Sequence, residues 1–198
     1  MLVVFDLELT AWPGSASRNW TGPGEYPEII QIGAVRLDAG LLEIAALDLV
    51  VKPRLNPILS DYIVRLTGLT QARIDAEGVP FAHALANFAA FSAGAAAILC
   101  NGGDAAWIAR NVELAGIANP MQAMTFASLS DRFRRAAGRD GHVISSTLPE
   151  VFGFESAGQA HDGLADARAI AEALRRTMDC GGISVLIDSL TNRAARRA

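Results

Sequence analysis

The segment LVVFDLELT, residues 2–10, constrains the fold of this chain more than any other stretch. It begins with the apolar and β-branched side chains of a buried strand, but Asp6 and Glu8 follow in the same run. Side chains two positions apart on a strand point to the same face, so the two carboxylates lie close together in apolar surroundings. At about 4 Å, two like charges repel by roughly 4 kcal/mol at an effective dielectric constant near 20. The strand therefore carries a cost that folding alone does not explain.

The charged pair has two interpretations, because the Asp-x-Glu spacing by itself is common. A second copy, Asp75 and Glu77, lies in the polar stretch QARIDAEG, where a solvated turn or helix end accounts for it. In an apolar strand, however, unpaired charges are costly, and a hard divalent cation with its preference for oxygen ligands offsets that cost. The strand therefore predicts a metal site that draws further carboxylates from other parts of the chain.

The composition predicts one compact cytoplasmic domain. The chain has 198 residues, of which 51% are hydrophobic, enough to bury a sizeable core. It contains no apolar run of about 18 residues and a strand-like segment follows Met1 directly, so we expect neither a membrane span nor a secretory signal. Two cysteines, Cys100 and Cys180, are too few for a disulfide framework. The net charge of −4 excludes a polycation that coats nucleic acid through bulk electrostatics.

The apolar patterning predicts an α/β fold built on a mixed five-stranded sheet flanked by helices. After the first strand, EIIQIGAVRLD and LEIAALDLVV predict two more strands, joined by a hairpin turn around Asp38 to Gly40 into an antiparallel meander. AAAILC and MTFASL predict two further strands, which alternate with helices and are therefore expected to pair in parallel. The Gly-, Pro- and Ser-rich loop of residues 11–27 is longer than most connections, and loops of that length are often functional.

Helical patterns dominate the chain after Pro53. Short helical turns are expected through LSDYIVRLTGLTQARID, and a longer helix over residues 80–93, between Pro80 and Gly94. Further helices are predicted in GDAAWIARNVELAG, SDRFRRAAG and HDGLADARAIAEALRRTM. We expect residues 1–180 to form one domain. Residues 181–198 are expected to form a C-terminal extension with an amphipathic helix and a basic tail, which could pack on the domain or pair with another copy.

Two further carboxylates are candidates for the predicted metal site. Asp104 follows AAAILCNGG, where a buried strand passes through glycines into a helix, at the edge of the sheet where sites tend to lie. Asp166 lies in the last helix, five residues after His161. Each has a simpler interpretation on its own, since an Asp near a helix start is commonly a cap or a partner of the helix dipole.

The joint pattern resembles the DEDD superfamily of 3′-to-5′ exonucleases, which have an RNase H-like fold. FDLELT resembles the first motif of that superfamily, ILCNGGDAAWIARN the second and HDGLADARA the third. His161 marks the His-containing subclass, since neither His83 nor His142 has an Asp five residues downstream. EYPEIIQIGAVRLD and LTGLTQARID resemble the branch that trims small RNAs and histone messages. The resemblance covers about residues 1–178.

The resemblance implies an exonuclease that hydrolyses single-stranded RNA or DNA from its 3′ end and releases 5′-mononucleotides. It implies two Mg²⁺ ions, with Mn²⁺ as a substitute, and a two-metal mechanism. In that mechanism Asp6 contacts both ions. Glu8 and Asp166 hold the ion that binds the attacking water, and Asp104 supports the other. His161 is implied as the general base, a role that its unperturbed pKa near 6.5 suits.

By the same resemblance, the terminal nucleotide lies near the first motif. The backbone around Leu9 and Thr10 is expected to line its pocket, and Leu66 and Thr67 to flank its base. Trp12, in the loop that follows, could stack on an unpaired base, as could other aromatic residues of that loop. The alternative for loop aromatics is that they hold the loop in place.

The chain also departs from the superfamily pattern. Ala11 follows the first motif, where many relatives have Gly, and the loop of residues 11–26 has no close counterpart in the proofreading proteins. The long loop leaves the length and type of the substrate open, and the sequence does not distinguish an RNA substrate from a DNA substrate. The oligomeric state is open as well, with a dimer possible. A different class of function is a catalytically weak nucleic-acid-binding or regulatory module on the same scaffold, because a fold does not guarantee a function.

Overall fold

The computed structural model describes residues 1–178, so Cys180 and the predicted C-terminal extension lie outside the described residues. The strands are β1 (Leu2–Leu9), β2 (Ile29–Leu37), β3 (Glu43–Lys52), β4 (Val79–Pro80), β5 (Ile98–Cys100) and β6 (Phe126–Ser128). The helices are α1 (Asp61–Thr67), α2 (Gln71–Glu77), α3 (Phe81–Phe91), α4 (Asp104–Ala115), α5 (Ser130–Ala136), α6 (Leu148–Phe152) and α7 (Gly163–Thr177), with a 3₁₀ turn at Ser145–Thr147. Within residues 1–178, no helix is long and apolar enough to cross a membrane.

The strands form one mixed sheet in the order β4-β3-β2-β1-β5-β6. β1, β2 and β3 form the predicted antiparallel meander, and β5 and β6 continue the sheet in parallel with β1. The predicted α/β class is therefore confirmed. The sheet has six strands rather than five, because Val79–Pro80 pairs in parallel with the end of β3. A segment of two residues that ends in Pro has no alternating pattern from which a strand could be predicted.

The side-chain alternation of β1 determines where its two carboxylates lie. The odd-numbered apolar residues of β1 pack in a core with α3 and α4, on one face of the sheet. Leu2 and Val4 pack on the other face in a core with α5, α6 and α7. Asp6 and Glu8 continue this second row, because every other side chain of a strand points to the same side. The charged pair therefore faces the α7 side of the sheet, just beyond the apolar core.

The helices agree with the sequence predictions except at two places. α3 begins at Phe81 rather than at Pro80, since Pro80 belongs to β4. α6 and the 3₁₀ turn before it were not expected, because a helix of five residues is too short to show a period. α4 begins at Asp104, directly after the glycines of the second motif, as predicted.

A close backbone contact joins β2 to the start of α7. A Cβ atom at Gly33 would lie 2.0 Å from the carbonyl carbon of Gly163, so only glycine allows this approach. Gly33 is also the partner of Asp6 in the antiparallel register. The missing side chain therefore lets α7 reach the part of the sheet that carries the acidic pair.

We expect Gly33→Ala to lower the free energy of unfolding by about 3 kcal/mol, the cost of forcing a methyl group into backbone atoms that cannot yield. Denaturant unfolding measures this change. Gly141→Ala is the matched control, since a Cβ there meets no heavy atom within 4 Å. Equal stability of the two variants would contradict the close contact.

Candidate acidic site

The acidic residues of the three motifs meet at one edge of the sheet. A cavity of about 260 Å³ is lined by Asp6, Glu8, Asp104, His161 and Asp166, together with residues of the second motif. β5 runs parallel to β1, so residues that follow its carboxyl end emerge at the same edge as the carboxylates of β1. The structure therefore brings together all five residues that the motifs predicted for a metal-dependent centre.

Burial and mutual repulsion act on the carboxylates of β1. Asp6 is 8% exposed and Glu8 6%. Burial raises the pKa of Asp6 well above its ordinary value, and the charges of Asp104, Glu8 and Asp166 raise it further. Burial is also the main cause that raises the pKa of Glu8, followed by the charge of Asp166. The cost that the sequence of β1 predicted is therefore present in the folded chain.

Asp104 reaches the cavity from the first turn of α4. Burial raises the pKa of this carboxyl group to about 6. Asn111 anchors the helix, because its Oδ1 accepts a hydrogen bond from the Ile29 N–H at 2.9 Å and its Nδ2 donates to the Pro27 carbonyl at 2.9 Å. These bonds fix α4, and with it Asp104, relative to the start of β2.

The start of α7 brings His161 and Asp166 to the cavity. Asp162 caps this helix, since its Oδ1 accepts a hydrogen bond from the Ala165 N–H at 2.9 Å. His161, one residue earlier, has φ +61°, a left-handed conformation that residues other than glycine rarely adopt and that tends to occur at functional sites. Burial lowers the pKa of His161 and raises that of Asp166 to about 7.

Gln31 holds this turn against the sheet. Its side chain is buried, and its Oε1 accepts a hydrogen bond from the Gly163 N–H at 3.0 Å. Its Nε2 donates to Asp48 at 2.8 Å and to Asp162 at 3.2 Å. One amide therefore satisfies a helix N–H and bridges two carboxylates, which neither a carboxylate nor an apolar side chain could do. The bonds fix the turn that carries His161.

The residues of the cavity fit a divalent cation. Ligand atoms of Glu8, His161 and Asp166 all lie within 4.8 Å of one another. No Lys or Arg is among the described residues that line the cavity, so no permanently charged cationic side chain neutralises the carboxylates there. Carboxylate oxygens are the ligands that Mg²⁺ and Mn²⁺ prefer, and a bound cation removes the repulsion that raises their pKa values.

In a buffer with chelator, we expect the free energy of unfolding to fall as the pH rises from about 5 to about 8. In the folded chain the pKa of Asp104 is about 6 and that of Asp166 about 7, both above the unfolded values near 4. The folded state therefore holds protons that the unfolded state has released, so stability decreases through this range. Thermal unfolding at several pH values measures the trend. A metal-free stability that increases across the range would contradict it.

The predicted nucleotide contacts near the first motif lie outside this cavity. Leu9 is half-buried at the end of β1, and Trp12 is half-buried in the following loop. The Thr10 side chain is buried, and its hydroxyl donates a hydrogen bond to the Tyr26 carbonyl. Trp20 donates from Nε1 to the Thr10 carbonyl at 2.8 Å and packs edge-on against an aromatic ring of α4. For Trp20, these contacts favour the interpretation that loop aromatics hold the loop in place.

The other predicted pair, Leu66 and Thr67, lies at the end of α1. Thr67 lines a neighbouring cavity of about 230 Å³ together with Gln159 and Asp162. Its hydroxyl donates to the Ile63 carbonyl at 2.9 Å, so this side chain also serves the fold. Leu66 is half-buried in the core beneath the loop. The two cavities flank the same turn before α7, since His161 lines the acidic one.

One wall of the acidic cavity was not predicted from the sequence. His142, Ile144, Ser145 and Ser146, from the segment between α5 and α6, all line it. Ile144 is 47% exposed there. The segment carries no motif, and its contacts with β1 are between residues far apart in sequence. Its histidine was the one available signal.

Comparison with known proteins places the chain among nucleases. The model of a family described as "Exonuclease", RNase_T, matches residues 3–174. Over 88 residues the chain is 36% identical to ERI1 exoribonuclease 2 of Mus musculus and 35% identical to that of Homo sapiens. The matched segment covers 44% of this chain but only 12% of those proteins. The chain therefore spans a small part of the length of the curated relatives it matches.

Solved structures with the same fold include two nucleases with bound nucleotides. The nuclease domain of 3′hExo, described as a DEDDh family member bound to rAMP, aligns with a TM-score of 0.72 at 24% identity, covering 88% of this chain and 90% of that one. E. coli exonuclease I in complex with a dA16 oligonucleotide aligns with a TM-score of 0.69 at 20% identity, covering 96% of this chain and 43% of that one. The predicted RNase H-like fold is therefore confirmed.

Proposed function

The chain belongs to the RNase T exonuclease family, as its three motifs predicted, and we propose that it is a metal-dependent 3′-to-5′ exonuclease of single-stranded nucleic acid. The observation that carries this proposal is that four carboxylates and His161 meet in one cavity. Carboxylates that are buried and mutually repulsive are a poor choice for binding a polyanion alone. They are suited to holding cations that in turn bind a phosphate.

In the proposed site, Asp6, Glu8, Asp104 and Asp166 would hold two divalent ions, Mg²⁺ by preference and Mn²⁺ as a substitute. When bound, the ions supply an activated water and neutralise charge on the scissile phosphate. Asp6 would serve both ions, Glu8 and Asp166 the one on the water side, and Asp104 the other. Ligand atoms of Glu8 and Asp166 lie within 4.8 Å of each other, which supports the assignment of these two residues to one ion.

His161 is proposed as the general base that accepts the proton of the attacking water. It is half-buried at the cavity, and its lowered pKa keeps the imidazole neutral and able to accept a proton near neutral pH. Gln31 and the cap of α7 hold its turn in place. Attack on the terminal phosphodiester would release a 5′-mononucleotide and leave a new 3′ hydroxyl on the strand.

The substrate is proposed to be the 3′ end of single-stranded RNA or DNA, with the terminal nucleotide near Leu9, Thr10, Leu66 and Thr67. Trp12 remains a proposed stacking residue. The exoribonuclease names of the curated relatives favour RNA, while exonuclease I was solved with DNA. We further propose a cytoplasmic location and one exonuclease domain over residues 1–180, with residues 181–198 as a C-terminal extension.

A time course with 3′- and 5′-labelled single strands of RNA and DNA tests the function. With Mg²⁺, we expect stepwise loss of nucleotides from the 3′ end, and in chelator we expect no loss. The strand that is degraded faster, RNA or DNA, identifies the substrate. A folded protein that binds these strands without cleaving either would instead support a nucleic-acid-binding or regulatory module. An assay of oligonucleotides from two to about 20 residues then defines the preferred length.

A further inference from the structure

We propose that Ser145 is a positioning residue for the site: its hydroxyl orients the carboxylate of Asp6 for metal binding, and Asn101 orients Ser145. The inference rests on the proposed function, because it assigns a role toward the proposed metal ions. None of the three motifs contains Ser145, which belongs to the wall of the cavity between α5 and α6.

The contact itself is specific. The Ser145 Oγ donates a hydrogen bond to the Asp6 Oδ1 at 3.1 Å, across 139 positions of sequence. Within residues 1–178, Ser145 is the one side chain that hydrogen-bonds to Asp6. Asp6 is 8% exposed, so solvent has little access to replace this bond. The orientation of the Asp6 carboxylate therefore depends on a single neighbouring hydroxyl group.

The position of the hydroxyl hydrogen follows from the neighbours of Ser145. Asn101 donates from Nδ2 to the Val143 carbonyl at 2.8 Å, and a carbonyl oxygen can only accept, which fixes the orientation of the amide. The same Nδ2 lies 3.4 Å from the Ser145 Oγ, so the hydroxyl accepts there. Its one hydrogen is left for Asp6. The chain of bonds thus points a donor at Asp6, whose carboxylate can only accept when it is ionised.

This arrangement links three separate segments of the fold. Asn101 follows β5 and is 4% exposed, Ser145 opens the 3₁₀ turn, and Asp6 belongs to β1. A carboxylate held in one orientation loses less conformational freedom when a cation binds. Hydrogen-bond partners of metal ligands typically contribute roughly 10- to 100-fold to metal affinity or activity. Ser145 is such a hydrogen-bond partner for Asp6, the carboxylate proposed to bind both ions.

Mg²⁺ binding to the full chain, measured by calorimetry, tests the role of Ser145. We expect Ser145→Ala to weaken Mg²⁺ affinity roughly 10-fold and to raise by a similar factor the Mg²⁺ concentration that gives half-maximal strand cleavage. Ser145→Thr keeps the hydroxyl and should restore both values. The midpoint of thermal unfolding in chelator should change little, since Ser145 is a half-buried residue in a short 3₁₀ turn.

Thr147→Ala is the matched control. It removes a hydroxyl from the same turn, one that donates to the Ile144 carbonyl at 2.9 Å rather than to Asp6, so Mg²⁺ affinity should stay unchanged. If Ser145→Ala binds Mg²⁺ as tightly as the unmodified chain, or if Thr147→Ala weakens binding equally, the role of Ser145 is wrong while the proposed function stands. If the unmodified chain binds no Mg²⁺, both are wrong.

Discussion

Asp6→Asn is expected to reduce the rate of strand cleavage roughly 10³-fold, the upper end of what losing one electrostatic stabiliser of a transition state costs. Asparagine keeps the shape of the side chain but removes the charge that the proposal assigns to both ions. The residue lines the cavity, and the charges of the other three carboxylates act on it. Single-turnover release of the 3′ nucleotide at saturating Mg²⁺ measures the loss.

The same substitution should stabilise the protein when metal is absent. Asp6 is buried beside three other carboxylates, so its ionised form lowers the stability of the metal-free protein. No Lys or Arg among the described residues that line the cavity offsets this cost. Thermal unfolding in chelator near neutral pH should therefore show a higher midpoint for Asp6→Asn than for the unmodified chain. Lower activity together with higher metal-free stability distinguishes a metal ligand from a residue needed for folding.

Asp75→Asn provides a matched control for Asp6→Asn, because Asp75 belongs to the second Asp-x-Glu copy of the chain. It lies exposed on α2 and accepts a hydrogen bond from Gln71 at 2.9 Å, outside the residues that line the acidic cavity. Its replacement should leave cleavage unchanged. Cleavage by Asp6→Asn at a rate close to that of Asp75→Asn would contradict the proposed role of Asp6.

His161→Ala is expected to lower turnover by roughly 10²- to 10⁴-fold, the usual contribution of a positioned general base. Mg²⁺ binding should persist, because the proposal gives the ions to carboxylates. The reduction should be largest near neutral pH and should diminish as hydroxide becomes abundant. Cleavage rates and Mg²⁺ affinity measured on the same preparation separate the two roles.

The control for this variant is His83→Ala. His83 is exposed on α3, which packs on the opposite face of the sheet from α7. Turnover by His83→Ala should equal that of the unmodified chain. If His161→Ala keeps near-normal turnover at about pH 8, the histidine has no role as the base.

The sequence predicted the fold where local pattern and tertiary structure agree. β1 shows the apolar run of a central strand. The two charged residues within that run, Asp6 and Glu8, predicted the acidic cavity that the structure contains. The start of α4 at Asp104 follows from the glycines that precede it in the sequence. The local pattern located the carboxylates of β1, whereas Asp104 and Asp166 were identified by the joint pattern of the three motifs.

The features that were missed depend on contacts between distant residues. β4 exists because Val79 and Pro80 meet the end of β3, not because they form a strand alone. Ser145 reaches Asp6 only after the segment between α5 and α6 folds over the cavity. Thr10 and Thr67 were predicted to lie against the terminal nucleotide, and the structure shows that each hydroxyl also has a hydrogen-bond partner within the fold. No local pattern encodes such partners.

Calorimetric titration of Mg²⁺ into the protein, with a 5′-mononucleotide present, tests most directly whether the acidic cavity exists to hold divalent cations. Two ions should bind per chain, with the binding strongly weakened by Asp6→Asn and unchanged by Asp75→Asn. No saturable binding, or binding that Asp6→Asn leaves intact, would contradict the metal-dependent site.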